Sequence, residues 1–145
     1  MTEAEGLTIT RVFKAPRELV FDAWTNPQHF ARWFGGSAVD IPIETVSMDV
    51  RPGGSWKATM VLPDGGQQIH WLGEYVEVDP PERLVLTLSD GPEDREVVTV
   101  VLAEVEGGTQ MVCHQGGGHL TAEQYEQAKA GYETFFDALA ELVEA

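Results

Sequence analysis

LTAEQYEQAKAGYETFFDALAELV, residues 120–143, decides the fold. Tyr125, Ala128, Tyr132, Phe135, Phe136, Leu139, Leu142 and Val143 recur at steps of three, four, three, one, three, three and one. That spacing lays an apolar stripe along one face of a helix. At 1.5 Å per residue the helix is about 35 Å long. Thr121 with Gln124 offers a capping box at its start. The other face carries Glu123, Glu126, Glu133, Asp137, Glu141 and Glu144 against Lys129 alone. Glu133/Asp137 and Asp137/Glu141 are like-charge neighbours one turn apart, each unfavourable by a few tenths of a kcal/mol. Acid near the C-terminus also opposes the helix dipole. This helix therefore depends on docking its apolar face.

Upstream lies a run of short strands that supplies the docking surface. Residues 43–50, 55–62, 67–78, 83–89, 95–104 and 109–115 are β-rich. They are separated by Arg51-Pro52-Gly53-Gly54, Pro63-Asp64-Gly65-Gly66, Asp79-Pro80-Pro81-Glu82, Gly91-Pro92-Glu93-Asp94 and Glu106-Gly107-Gly108. Short connections built from turn residues imply hairpins and an antiparallel meander. Further upstream, residues 7–14 read as another strand. Pro16 suits the first position of a helix that carries Leu19, Val20, Ala23 and Trp24. Asn26 caps and Pro27 opens a second short helix through Phe30, Trp33 and Phe34, which Gly35-Gly36 closes. The order is strand, two short helices, six further strands and a long helix. It predicts an α+β domain spanning residues 1–145: a curved antiparallel sheet of about seven strands gripping the C-terminal helix.

Strand parity predicts the face turned to the helix. Leu84, Leu86 and Leu88 share a face, as do Val98, Val100 and Leu102, and Trp56, Ala58 and Met60. Met111 and Cys113 lie opposite Val112 and His114. Trp71, Gly73 and Tyr75 alternate with Leu72, Glu74 and Val76, and both faces carry apolar residues there.

Charge and composition narrow the function classes. The 145 residues carry a net charge of −15, with 43% hydrophobic and 23% charged residues. Such a composition is that of a globular chain. A phosphate backbone and an anionic membrane surface would both be repelled, so neither nucleic acid nor membrane is an expected partner. No apolar run approaches the length of a membrane span. Cys113 is the sole cysteine, and Met1-Thr2-Glu3-Ala4-Glu5-Gly6 lacks the basic and apolar regions of a secretory signal. The expected location is cytoplasmic. The pattern shows no dimer seam, which leaves the oligomeric state open.

A set of motifs runs through this framework. The first is Phe13-Lys14-Ala15-Pro16-Arg17-Glu18-Leu19-Val20-Phe21-Asp22-Ala23-Trp24, followed by Pro27 and Arg32-Trp33-Phe34. It resembles the opening signature of the SRPBCC (START-like) superfamily. More narrowly, it is similar to the branch named after activators of the ninety-kilodalton heat-shock chaperone's ATPase. Asp49-Val50-Arg51-Pro52-Gly53-Gly54-Ser55-Trp56 looks like that branch's second motif. Gly73-Glu74-Tyr75 with Val78-Asp79-Pro80-Pro81-Glu82-Arg83-Leu84-Val85 looks like its third. Gly131-Tyr132 stands where the branch usually has Gly-Trp. The resemblance spans essentially the whole chain. It implies a helix-grip fold with a cavity between sheet and C-terminal helix, and relatives that include hydrophobic-ligand binders, cyclases and chaperone activators.

Three functions follow as expectations. The leading one is binding of a small hydrophobic or aromatic ligand in that cavity, with Trp56, Met60, Trp71, Tyr75, Leu86, Met111, Tyr132, Phe135 and Phe136 as its lining. The second is a cyclase, dehydratase or hydrolase using Tyr75, His70 or Tyr132 as acid or base, although no nucleophile–base–orienter set is visible. The third is a chaperone partner engaged through an outer surface. Trp24, Trp33 and Phe34 read either as core or as a patch for such a partner. No cofactor and no metal are expected. Cys113 and His114 point to opposite faces of a strand, so they and His119 do not assemble one ion site. Gly116-Gly117-Gly118 lacks the Gly-Lys-Ser/Thr ending of a phosphate loop and reads as a loop over the cavity mouth.

Overall fold

The computed structural model of the chain describes residues 6–36, 39–63, 67–89, 95–117 and 120–144. Strand β1 (Leu7–Phe13) leads into helices α1 (Arg17–Thr25) and α2 (Pro27–Trp33). Strands β2 (Ser47–Met48), β3 (Ser55–Val61), β4 (Gln68–Asp79), β5 (Arg83–Leu88), β6 (Glu96–Val105) and β7 (Gly108–Gly116) follow, and helix α3 (Ala122–Val143) ends the chain. Among the described residues, all seven strands join one antiparallel sheet in the order β1-β7-β6-β5-β4-β3-β2. The first strand thus closes onto the last, and α1 and α2 carry the chain across to the opposite edge. The curved sheet and the long helix give the expected helix-grip arrangement.

Local chemistry explains the element ends. The Asn26 side chain accepts from the Gln28 amide at 3.0 Å, with Pro27 opening α2. Thr121 and Gln124 form the full capping box of α3. Pro16 is the cap residue of α1 rather than its first helical residue. Gly35 and Gly36 take φ of 88° and 81° just past α2, a left-handed pair that favours glycine. The chain departs from the sequence expectation at residues 43–50. Ile43–Thr45 is a single 3-10 turn, and only Ser47–Met48 pairs with β3. Both the amide and the hydroxyl of Thr45 donate to the Pro42 carbonyl, at 2.9 and 2.7 Å, and that local bonding displaces the ladder.

One hydrophobic cluster runs from Leu7 to Val143 between the sheet and the three helices. Trp56, Ala58, Met60, Leu84, Leu86, Val98, Val100, Leu102, Met111 and Cys113 face inward, as parity predicts. The ambiguous strand β4 also resolves. Tyr75 is buried and Leu72 and Val76 are exposed, so the Trp71–Gly73–Tyr75 face turns in. Trp24, Trp33 and Phe34 are buried in the core, which removes them as an exposed partner patch. The Trp33 indole N–H donates to the Ala23 carbonyl at 2.8 Å and ties α1 to α2. Helix α3 gains a cation for its acidic face from the sheet: Arg11 on β1 meets the Asp137 carboxylate at 2.8 Å.

Candidate functional site

The grip between sheet and α3 does not close along its full length. Around the N-terminal half of α3 it leaves a cleft of about 400 Å³. Gln124, Ala128, Gly131 and Phe135 lie on one helical stripe, at steps of four, three and four, and form one wall with Tyr132. Ala128 and Gly131 are too small to reach the sheet. A Cβ added at Gly131 would meet nothing within 4 Å. The facing wall comes from Trp71 on β4, Leu88 at the end of β5 and Phe34 after α2. Aromatic contacts lock these walls together. Phe34 meets Trp71 at 6.2 Å and Phe135 at 5.7 Å between ring centroids, and Tyr132 meets Phe135 at 5.6 Å.

The floor of the cleft is polar. Glu96 opens β6 and Gln115 nears the end of β7, and both are more than nine-tenths buried. The Tyr132 hydroxyl donates to Gln115 Oε1 at 2.6 Å. Gln115 Nε2 then donates to Glu96 Oε1 at 3.2 Å. Burial pushes the Tyr132 phenol well up, and the nearby Cys113 and Glu96 add to the rise. The phenol therefore keeps its proton and serves as the donor that starts this chain. The Trp71 indole nitrogen is also buried, without a hydrogen-bond partner among the described residues.

Of the residues named from sequence, Trp71, Tyr132 and Phe135 border the cleft. Met60, Tyr75, Leu86, Met111 and Phe136 pack into the surrounding core. Trp56 is core as well, and its indole N–H donates to the Thr87 carbonyl at 2.8 Å. That contact needs Gly73 between them, where a Cβ would collide with both groups. Burial and the Asp49 charge push the Tyr75 phenol up. His70 stands on the other face of the sheet, exposed, with Nδ1 3.0 Å from Thr59 Oγ1.

Glu96, Gln115 and Ser89 border the cleft and were not among the residues chosen from sequence. Parity carried the signal for two of them. Glu96 shares the face of Val98 and Val100, and Gln115 shares that of Met111 and Cys113. A polar side chain in register with an inward apolar face is an anomaly that calls for a buried partner.

Cys113 is buried, and desolvation pushes its thiol up to about 12. His114, on the opposite face, lies 2.8 Å from Thr8 Oγ1 through Nδ1. His119 and Gly118 lie outside the described residues. Among the described residues no three His, Cys, Asp or Glu side chains group as metal ligands, and no helix is long and apolar enough to cross a membrane.

Comparison with known proteins places this architecture. A family model described as Activator of Hsp90 ATPase homolog 1-like protein matches residues 14–144. The structure of a Chromobacterium violaceum protein superposes with a TM-score of 0.89 at 27% identity, over 98% of this chain and 99% of that one. A putative uncharacterized protein from Rhizobium leguminosarum gives 0.76 at 28% identity, over 99% and 95%. An AHSA1-like protein from Aeromonas hydrophila gives 0.75 at 26% identity, over 95% and 92%. No curated protein matches the chain. The family match runs from the end of β1 to the end of α3, and the chain belongs to the family of Activator of Hsp90 ATPase homolog 1-like proteins.

Proposed function

We propose that the protein binds a small, largely apolar ligand in the cleft between the sheet and the first half of α3. One observation carries this reading: aromatic walls enclose about 400 Å³ above a buried polar floor. That volume falls in the range of small-molecule sites, and apolar walls with a few convergent polar groups are their usual make-up. Trp71, Tyr132 and Phe135 would contact the ligand directly. Trp56, Met60, Tyr75, Leu86, Met111 and Phe136 would hold those walls rigid from behind.

Acid–base catalysis has less support. Burial raises both the Tyr132 and Tyr75 phenols away from neutral pH, and His70 faces away from the cleft. A second reading, stimulation of a chaperone ATPase through an outer surface, draws on the family description alone.

Native mass spectrometry of the protein purified from its own host tests the binder reading. The expected result is a reproducible excess of small-molecule mass that disappears on denaturation. Gly131→Leu fills the cleft and is expected to remove that excess. An excess that survives Gly131→Leu, or a clean apo mass, counts against binding in the cleft. ATPase stimulation retained by Gly131→Leu would favour the surface reading.

A further inference from the structure

We infer that the ligand of this cleft is an organic ammonium, an amine whose charged nitrogen sits between the Glu96 carboxylate and the aromatic wall. The inference rests on the cleft being a ligand site and adds the chemistry of the ligand's head.

Glu96 is the reason. The residue is only 6% exposed, yet no Lys or Arg among the described residues pairs with it. A carboxylate taken out of water is costly unless it is paired or well hydrogen-bonded. Gln115 supplies one bond, at 3.2 Å to Oε1. The carboxylate has several acceptor positions in all. The chain from Tyr132 through Gln115 runs in one direction, with every donor pointing towards Glu96. Such a chain polarises each bond in turn and stabilises negative charge at its end. The floor therefore presents an acceptor to whatever enters.

The walls fit the same cargo. Phe34, Trp71, Tyr132 and Phe135 are linked ring to ring at 5.6–6.2 Å and border the space next to Glu96. Aromatic faces are negative, and rings grouped around a pocket attract ammonium ions. Leu88, Leu120 and Ala128 leave an apolar region for the rest of the molecule. The net charge of −15 gathers cations at the surface and repels carboxylates, so fatty acids and other anions meet both a field and a floor of the wrong sign.

Three probes that share a body and differ in head test this: 4-phenylbutylamine, 4-phenylbutan-1-ol and 4-phenylbutanoate. Each is titrated into the intact protein by calorimetry at pH 7 and again in high salt. The amine is expected to bind about tenfold tighter than the alcohol, from a charge-assisted bond and the ring faces. The carboxylate is expected to give no detectable binding. Glu96→Gln should bring the amine down to the alcohol and leave the alcohol unchanged. Gly131→Leu should abolish binding of both. The inference is overturned if amine and alcohol bind alike, if the carboxylate binds as well as the amine, or if amine binding survives Gly131→Leu, which would mark it as surface adsorption. Alcohol binding that Gly131→Leu removes, without an amine preference, overturns the ammonium head and leaves the ligand site standing. Failure of all three probes up to millimolar concentration overturns both. Should Glu96→Gln not fold, the ranking of the three probes on the unaltered protein decides alone.

Discussion

The two halves of α3 face the same sheet and do opposite things. The C-terminal half is shut: Phe136 and Leu139 have no exposed surface and Val143 almost none. The N-terminal half holds Ala128 and Gly131 at the equivalent stripe positions and stands over a cleft. The backbone is continuous helix in both. What differs is side-chain size along one face, together with what stands opposite it. The shut half packs on the aromatics of α1 and α2, with Phe136 6.3 Å from Trp24 and 6.1 Å from Trp33 between ring centroids. Beneath the open half lie Glu96 and Gln115, which need hydrogen-bond partners and do not pack against hydrocarbon. A cavity in this fold is thus written in a few small residues on the helix and a few polar ones on the strand ends.

The largest test of this contrast compares adjacent phenylalanines. Phe136→Ala opens a void in a filled core and is expected to cost about 3–5 kcal/mol. Phe135→Ala removes a ring that is only partly buried at the rim of a space already open, and should cost about 1 kcal/mol. Urea denaturation of the two variants measures both. Equal losses would mean that the N-terminal half is packed as tightly as the other and that no cleft exists.

Tyr132 joins the halves, stacking on Phe136 at 5.4 Å while its hydroxyl serves the cleft floor. Tyr132→Phe keeps the ring and leaves buried Gln115 Oε1 without its donor, a change expected to cost about 1–3 kcal/mol. The pH dependence carries a second signature. The folded state raises the Tyr132 phenol above its ordinary 10.0 and the Cys113 thiol from 9.0 to about 12. Well below pH 9 folded and unfolded chains hold these protons alike, so the stabilisation is complete. Above it the unfolded chain releases protons that the folded chain keeps, first from Cys113 and then from Tyr132. Stability therefore falls with rising pH, by roughly 1 kcal/mol per pH unit for each group in its window. Urea midpoints from pH 8 to 11 should drop less steeply above pH 10 in Tyr132→Phe. Parallel curves would mean that the phenol is not buried as the structure has it.

The fold was legible because its signals are periodic. The stripe from Tyr125 to Val143, the capping box and the turn residues between strands each determine an element by local rules, and all agree. The error at residues 43–50 came from bonding that propensity ignores, where Thr45 turns back on Pro42. The cleft was harder to read because a pocket is where packing fails, and apolar residues chosen for a pocket are the ones that pack. Met60, Leu86, Met111 and Phe136 have the apolar character of a lining and belong to the buried core cluster. The cleft announces itself through residues that break the apolar pattern: Glu96 and Gln115 on inward strand faces and Gly131 within a helix.

That last residue gives the smallest and sharpest test. Glycine inside a helix costs about 1 kcal/mol relative to alanine, through backbone freedom lost on folding. In a packed interface Gly→Ala forfeits this gain, because the new methyl group collides with a neighbour. At Gly131 the methyl group would enter open space, with no atom within 4 Å beyond its chain neighbours and its own helix backbone. Gly131→Ala is therefore expected to stabilise the protein by about 0.5–1 kcal/mol, a rise that thermal or urea denaturation resolves. The methyl group takes volume from the cleft, so any ligand held there should bind more weakly in the same variant. Stability and affinity would move in opposite directions from one carbon atom. A destabilised Gly131→Ala would show that the N-terminal half of α3 is closed against the sheet, as the C-terminal half is.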